Sequence, residues 1–369
     1  MELAHKHLLV CQYLFVVFVS SFQLFLLDLY SNTNSIPRYI MQILTQLFEN
    51  YFGEPLKNIE PIPGSGSNRL YVRLIGDKNR CIGMKGESEV ENEAFIYLAN
   101  HFFAKGLAVP QLYAISDDRM SYIQQDCGDV ALFDFVASAR IDNSYSDEQK
   151  KMLTDTLAAL ADVQVKGAEE LDYSVCFPRA EFDRRCIFWD LNYFKYCFLR
   201  PYGVAFSENR LEDEFEQMAD LLDAEVNDVF LYRDFQSRNV MISEGKPYFI
   251  DFQGGRRGQV YYDVASFLWQ VEASYTAEMK DLLIDAYITS LRKYRNVDEA
   301  AFRRRLVHFA LFRLLQVLGA CGFRGLIEKK QYFIDTIPAA ISNIQSLLDE
   351  VDFDEYPYLV EVLKGLSRK

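Results

Sequence analysis

Histidine is scarce in this chain. The four copies, His5, His7, His101 and His308, form no metal-ligand spacing, which argues against a His-based zinc centre. No Gly-x-Ser-x-Gly occurs, so a Ser-His-Asp hydrolase has little support. No Walker A sequence occurs, which excludes a P-loop nucleotidase. The seven cysteines (Cys11, Cys81, Cys127, Cys176, Cys186, Cys197, Cys321) are odd in number, scattered, and never paired as Cys-x-x-Cys. They read as free thiols in a reducing compartment, and no Asn-x-Ser/Thr sequon contradicts that. Positive charge is in deficit: 39 Lys and Arg face 53 Asp and Glu, a net charge of −14. A nucleic-acid partner needs a basic stripe, so that class is set aside; a cationic substrate is permitted but not required.

What the chain does contain is core material. Half of its 369 residues are hydrophobic and 15% are aromatic, enough for two lobes. Residues Leu8 to Leu27 run for twenty positions without a charge. That length suits a membrane span or a signal h-region, yet no small-x-small cleavage site follows. Three readings stay open for residues 1–40: a start placed upstream of the true one at Met41, a membrane anchor, or a signal peptide. The first makes the chain cytoplasmic. The second makes it inner-membrane anchored with the rest of the chain in the cytoplasm.

From Met41 the pattern is that of an α+β protein in two lobes. A helix over 41–53 precedes two or three antiparallel strands in "IEPIPGSGSNRLYVRLIGDKNRCIGMKG". "SEVENEAFIYLANHFFAKGL" reads as one helix, with Phe95, Leu98 and Phe102 on one face and Gly106 as its C-cap. Two more strands follow. Beyond "DCGD" helical periodicity dominates, near 147–164, 208–225, 277–294, 299–318 and 333–349. The expected boundaries are an N-lobe over 41–125 and a C-lobe over 126–369. The short runs "VFLYRD" and "PYFIDF" are expected to pair as a hairpin inside the helical lobe.

The chemistry gathers at the ends of those two runs. In "FLYRDFQSRNVM" Asp234 ends an apolar run and Asn239 follows five residues later. In "PYFIDFQGG" Asp251 does the same. A carboxylate that orients a hydroxyl, plus oxygen ligands for Mg²⁺, is what phosphoryl transfer asks of a protein. Two close carboxylates repel, and a divalent ion relieves that repulsion. Asp263, in "GQVYYDVASFLWQ", opens an apolar helix and reads as an N-cap, or as an acceptor for N–H groups of the Asp234 loop.

With these residues the chain from about Met41 resembles the aminoglycoside phosphotransferase / choline kinase family, which shares the protein-kinase-like fold. "YRDFQSRN" resembles the family's His-x-Asp-x4-Asn loop, "IDFQ" its metal-binding motif and "YYDVASFL" the helix after it. The resemblance implies ATP and Mg²⁺ as cofactors, Asp234 as catalytic base, Asn239 and Asp251 as metal ligands, and Asp263 as a structural brace. Tyr232 stands in place of the family's usual His, and Gln253 where protein kinases carry Gly.

The N-lobe implications follow. Ser65, Gly66, Ser67 and Asn68 correspond to the phosphate-cradling loop, although Arg69 replaces its third Gly. Lys85 stands at the strand-three lysine position, with Glu93, or Glu91, as its helix partner. Gln124 and Asp126 fall in the hinge that meets the adenine.

Within the family the motifs are most similar to those of bacterial anomeric kinases acting on N-acetylmuramate and N-acetylglucosamine in cell-wall recycling. "FDRRCIFWDLNYFKYCF" resembles their sugar-side helix. That branch implies a small-molecule partner, an amino sugar, with Arg184, Asp190, Arg238, Gln253 and Arg257 on the substrate side. Aminoglycoside, choline or homoserine kinases, and a silent membrane-tethered binding module, are the competing readings. A membrane partner arises only if residues 1–40 are part of the protein.

Overall fold

The computed structural model describes residues 37–62 and 69–366. The hydrophobic run Leu8 to Leu27, and Ser65, Gly66, Ser67 and Asn68, lie outside the described residues.

Helix α1 (Arg38–Phe52) leads into strands β1 (Asn58–Ile62), β2 (Leu70–Ile75) and β3 (Arg80–Lys85). Helix α2 (Glu89–Ala104) separates β3 from β4 (Leu112–Ile115) and β5 (Ser121–Gln125). The five strands form one antiparallel sheet in the order β1-β2-β3-β5-β4. Side chains alternate faces along each strand. Val72, Leu74, Cys81 and Ile123 therefore meet Ile40, Leu44 and Phe48 of α1 on one side. The other side looks into the cleft. Ser88 caps α2 by accepting from Glu91 N at 3.3 Å, and Gly106, at φ 70°, turns the chain out of its end.

The lower part is helical. Its elements include α3 (Asp147–Ala168), α4 (Arg184–Tyr193), α5 (Glu208–Asp223), β6 (Val229–Leu231), β7 (Val240–Ser243), β8 (Lys246–Phe249), β9 (Arg256–Gly258), α6 (Tyr261–Leu268), α7 (Ala277–Leu291), α8 (Glu299–Cys321) and α9 (Gln331–Glu350). Helix α8 runs through the centre, with α4, α6 and α9 against it, and α3 packs on α7. The stretch Glu299–Ile327 is long and apolar enough by composition to cross a membrane, yet 67% of its most apolar window is buried inside the fold. Apolarity all round is what a central core helix requires.

One expectation is corrected here. The strand before Asp234 and the strand before Asp251 are not partners. β6 pairs with β9, and β7 pairs with β8. The loop between Leu231 and Val240 reverses the chain before a hairpin can form, and β7 takes the place beside β8. The result is an architecture of two lobes, an antiparallel sheet with one helix behind it and a helical majority below, consistent with a protein-kinase-like fold.

The lobes are joined by rings as well as by chain. Phe95 of α2 stacks on Tyr122 of β5 (4.8 Å between centroids) and on Phe252, the residue after Asp251 (5.1 Å).

Candidate functional site

The cleft between the lobes encloses about 420 Å³, lined by Tyr71, Gln124, Asp126 and Tyr122 from the sheet and by Asn239 and Asp251 from below. A second depression of about 480 Å³, around Tyr97 and His101, contains Glu93 but none of the carboxylates at the cleft floor.

Asp234 sits on a loop held from several directions. Its neighbour Tyr232 is buried and donates its hydroxyl to Ile250 O, which ties the loop to the residue before Asp251. Asp263 accepts from Tyr232 N (2.8 Å) and Arg233 N (2.9 Å), and from Gln164 Nε2 (2.9 Å). Gln164 in turn accepts from the Tyr287 hydroxyl, so α3, α6 and α7 all support the loop. At the far end Gln270 accepts from Ser237 N (3.1 Å) and Oγ (3.0 Å). Phe235 anchors the middle against Phe249 and Phe267. Asp263 is the third residue of α6, inside its first turn, so the N-cap reading is replaced by that of a buried acceptor. Burial pushes its carboxyl up to about 6, against the pull of the three N–H donors.

Two residues of the site have left-handed backbones, Arg233 (φ 80°) and Asp251 (φ 69°). Neither is Gly, and each such residue costs on the order of 1–3 kcal/mol unless its surroundings over-determine it. The restraints above supply that over-determination.

The three oxygen-bearing side chains converge. Asn239 Nδ2 donates to Asp234 O (2.8 Å) and to Asp251 Oδ2 (3.3 Å). Gln253 Nε2 donates to Asp251 Oδ1 at 2.6 Å. The Asp234 carboxylate lies over Gly254, where a Cβ would stand 3.6 Å from its Oδ2. Burial raises the Asp251 pKa, and the nearby Asp234 charge raises it further. Among the described residues no three His, Cys, Asp or Glu side chains gather as a closed metal cage. Two carboxylates and an amide oxygen suit Mg²⁺ instead, which keeps waters and takes phosphate oxygens.

Several predicted roles find other partners. Lys85 lies 3.7 Å from Asp118 in an ion pair, and Glu93 pairs with Arg119, so the Lys85–Glu93 contact does not form. The period-2 alternation explains it: Lys85 shares the face of Cys81 and Gly83, under α1, and Met84 takes the inward position. The carboxylate Glu91 pairs with Arg69 (3.2 Å), whose guanidinium is buried. The Asp126 carboxylate is held by Arg73 (2.7 Å) and Arg80 (3.2 Å), leaving its backbone to the hinge.

The substrate-side candidates are likewise committed. Arg184 reaches outward to Glu216 and Asp220 on α5, away from the cleft. Asp190 clamps Arg233 with two hydrogen bonds of 2.8 and 2.9 Å. Arg238 pairs with Glu272 (2.6 Å) over the Phe133 ring, and Arg257 with Glu181 (3.3 Å). Arg256, one residue before Arg257, is the inward-facing cation of β9 and donates to Gly254 O at 2.8 Å.

A sheet lobe over a helical lobe, with a braced Asp-x4-Asn loop and a facing Asp in the cleft, defines the class of protein-kinase-like phosphotransferases. Residues 58–300 match the phosphotransferase enzyme family (APH), more than half of the chain, and the chain belongs to that family. It is 27% identical over 228 residues to an N-acetylmuramate/N-acetylglucosamine kinase of Pseudomonas aeruginosa. That match takes in 60% of this chain and 63% of the relative's length. Among solved structures it resembles the choline kinase LicA of Streptococcus pneumoniae (TM-score 0.56, 13% identity, 83% of this chain and 99% of that one). It also resembles aminoglycoside 2'-phosphotransferase-IIIa in its GDP complex (TM-score 0.55, 13% identity, 82% and 97%). LicA has been solved with AMP as well.

Proposed function

We propose that the chain is an ATP-dependent kinase for a small-molecule hydroxyl, and that the acceptor is the anomeric hydroxyl of an amino sugar, N-acetylmuramate or N-acetylglucosamine. The observation that carries the kinase part is the convergence of Asp234, Asn239 and Asp251 on a loop with strained, over-braced backbone. Asp234 is exposed at the cleft floor, where it accepts the acceptor's proton and aims its oxygen at the γ-phosphate. Asp251 and the Asn239 amide oxygen hold Mg²⁺, which neutralises phosphate charge when bound. The hinge after β5, at Gln124 to Asp126, meets the adenine, and Asp263 keeps the loop in place. In this reading residues 41–125 form the nucleotide side and 126–369 the catalytic and substrate side.

The sugar part is supported by the Pseudomonas relative and by the charge pattern. A site for choline or a polyamine needs uncommitted carboxylates near the attacking hydroxyl. Two acidic residues on that side, Asp190 and Glu181, are each taken up by an arginine.

The test is ADP release by the full chain with Mg-ATP, offered N-acetylmuramate, N-acetylglucosamine, choline, homoserine and kanamycin in parallel. Turnover with the amino sugars alone is expected. Turnover only with an amine would sink the sugar reading and leave the kinase. Asp234→Asn is expected to lower kcat by about 10²–10⁴-fold with nucleotide affinity near normal; near-unaltered turnover would remove the base assignment.

A further inference from the structure

We propose that the side-chain amide of Gln124 reads the nucleotide's base, accepting a hydrogen bond from the exocyclic amine of adenine, and so sets a preference for ATP over GTP. The inference deepens the kinase reading above and rests on it.

Strand alternation turns this side chain toward the cleft. Gln124 is opposite Ile82 on β3 and Tyr122 is opposite Met84, so these four share one face of the sheet. Ile123, between Tyr122 and Gln124, packs toward α1 on the other face. In the cleft Ile82 from the sheet, with Met241 and Ile250 from below, gives apolar walls suited to a flat ring. Gln124 lines the same space one residue before the end of β5, at its hinge end.

The amide oxygen has no work inside the protein. Gln124 is 8% exposed, and its Oε1 is buried without a hydrogen-bond partner. The next two polar side chains are committed. Gln125 Oε1 accepts from Gln111 N (3.3 Å), and Asp126 is held by Arg73 and Arg80. A buried carbonyl oxygen left unpaired is unfavourable and calls for a donor. The two purines differ in what they bring. Adenine carries an amine with two N–H donors where guanine carries a carbonyl oxygen with none. One N–H suits a hinge carbonyl and the other suits Oε1. Guanine would set oxygen against oxygen and leave Oε1 unpaired. A site built to pair with a polar group rejects the ligand that lacks it.

The experiment is calorimetric titration of the full chain and of Gln124→Met with ATP, GTP and purine riboside triphosphate, which is ATP without its amine. Mg²⁺ is present and no acceptor is added, so the result does not depend on which hydroxyl is phosphorylated. Removing the amine is expected to weaken binding more in the unaltered chain than in Gln124→Met, by a factor of about two to twelve, the range for one neutral hydrogen bond. ATP is expected to lose about that factor in Gln124→Met, while GTP and the amine-free nucleotide do not weaken. Without nucleotide, Gln124→Met is expected to melt no lower than the unaltered chain, because it removes an unpaired buried oxygen. An equal loss for all three nucleotides, or a lower melting temperature without nucleotide, marks a structural role and overturns the inference. A preference for GTP that Gln124→Met abolishes shows the amide donating to guanine instead, and overturns it too. Nucleotide binding with no coupling between the amine and Gln124 sinks this inference alone. Failure of the unaltered chain to bind any of the three sinks the nucleotide reading as well.

Discussion

Asp190 offers a sharp test of the site's architecture, because the sequence motif and the structure assign it different work. The motif puts it on the substrate. In the structure it holds Arg233 through two hydrogen bonds, with side chains 10% and 16% exposed. Arg233 precedes Asp234 and has a left-handed backbone. Breaking a buried pair by removing one member leaves an uncompensated charge and costs about 3–5 kcal/mol. Asp190→Asn is therefore expected to lower Tm by about 6–20 °C, at the roughly 2–4 °C per kcal/mol of mid-sized domains. It is also expected to lower kcat, because the released guanidinium has the Asp234 carboxylate as its next partner. Replacing both members, Asp190→Leu with Arg233→Met, removes the stray charge and is expected to recover most of the stability. The assays are thermal melts and steady-state kinetics on the same preparations. Loss of less than about 1 kcal/mol, together with a raised KM for the acceptor and unchanged kcat, would refute the clamp and return Asp190 to the substrate.

Two further outcomes are expected. Asp263 has a folded pKa of about 6, above its ordinary 3.8, so its contribution to stability is fully present below the unfolded value and is lost as pH rises through about 6. Relative to the native chain, Asp263→Asn is expected to cost most near pH 4 and less by about 2 kcal/mol near pH 7; denaturant melts at the two pH values check this, and a penalty that grows with pH contradicts it. Gly322→Ala would put a Cβ 2.1 Å from Cys197 O, a backbone atom that cannot step aside, and is expected to destabilise by about 3 kcal/mol or more in the same melts.

The elements were legible wherever periodicity was strong. Helices near 147–164, 208–225, 277–294, 299–318 and 333–349 appear within a few residues of where the apolar spacing predicts them. The loop of Asp234 and the facing Asp251 were legible too, because motif and chemistry coincide there. Pairing was not. Nothing in "VFLYRD" or "PYFIDF" announces β9 or β7 as partners, since strand partnership is set by chain reversal rather than by local composition. Charge was read least well. Arg184, Arg257 and Lys85 are sequence-local candidates, but each is claimed by a carboxylate that only folding brings near. Arg69 stood out in the sequence merely as a missing glycine. Its partner Glu91 is 22 residues on and visible as a partner only once α2 lies against β2.

Gln253, beside Asp251, carries a last consequence. Where glycine would let the peptide turn over, this chain has a side chain that grips the Asp251 carboxylate at 2.6 Å, while Tyr232 grips the peptide before it. A segment secured on both sides has no parked position. In the kinase reading proposed above, such a site has no resting arrangement of this segment, and throughput follows the supply of acceptor and nucleotide rather than a signal written onto the protein. For inhibitor chemistry the implication is practical: compounds that capture a swung-out loop have nothing to capture here, and a useful molecule has to compete in the one shape the cleft offers.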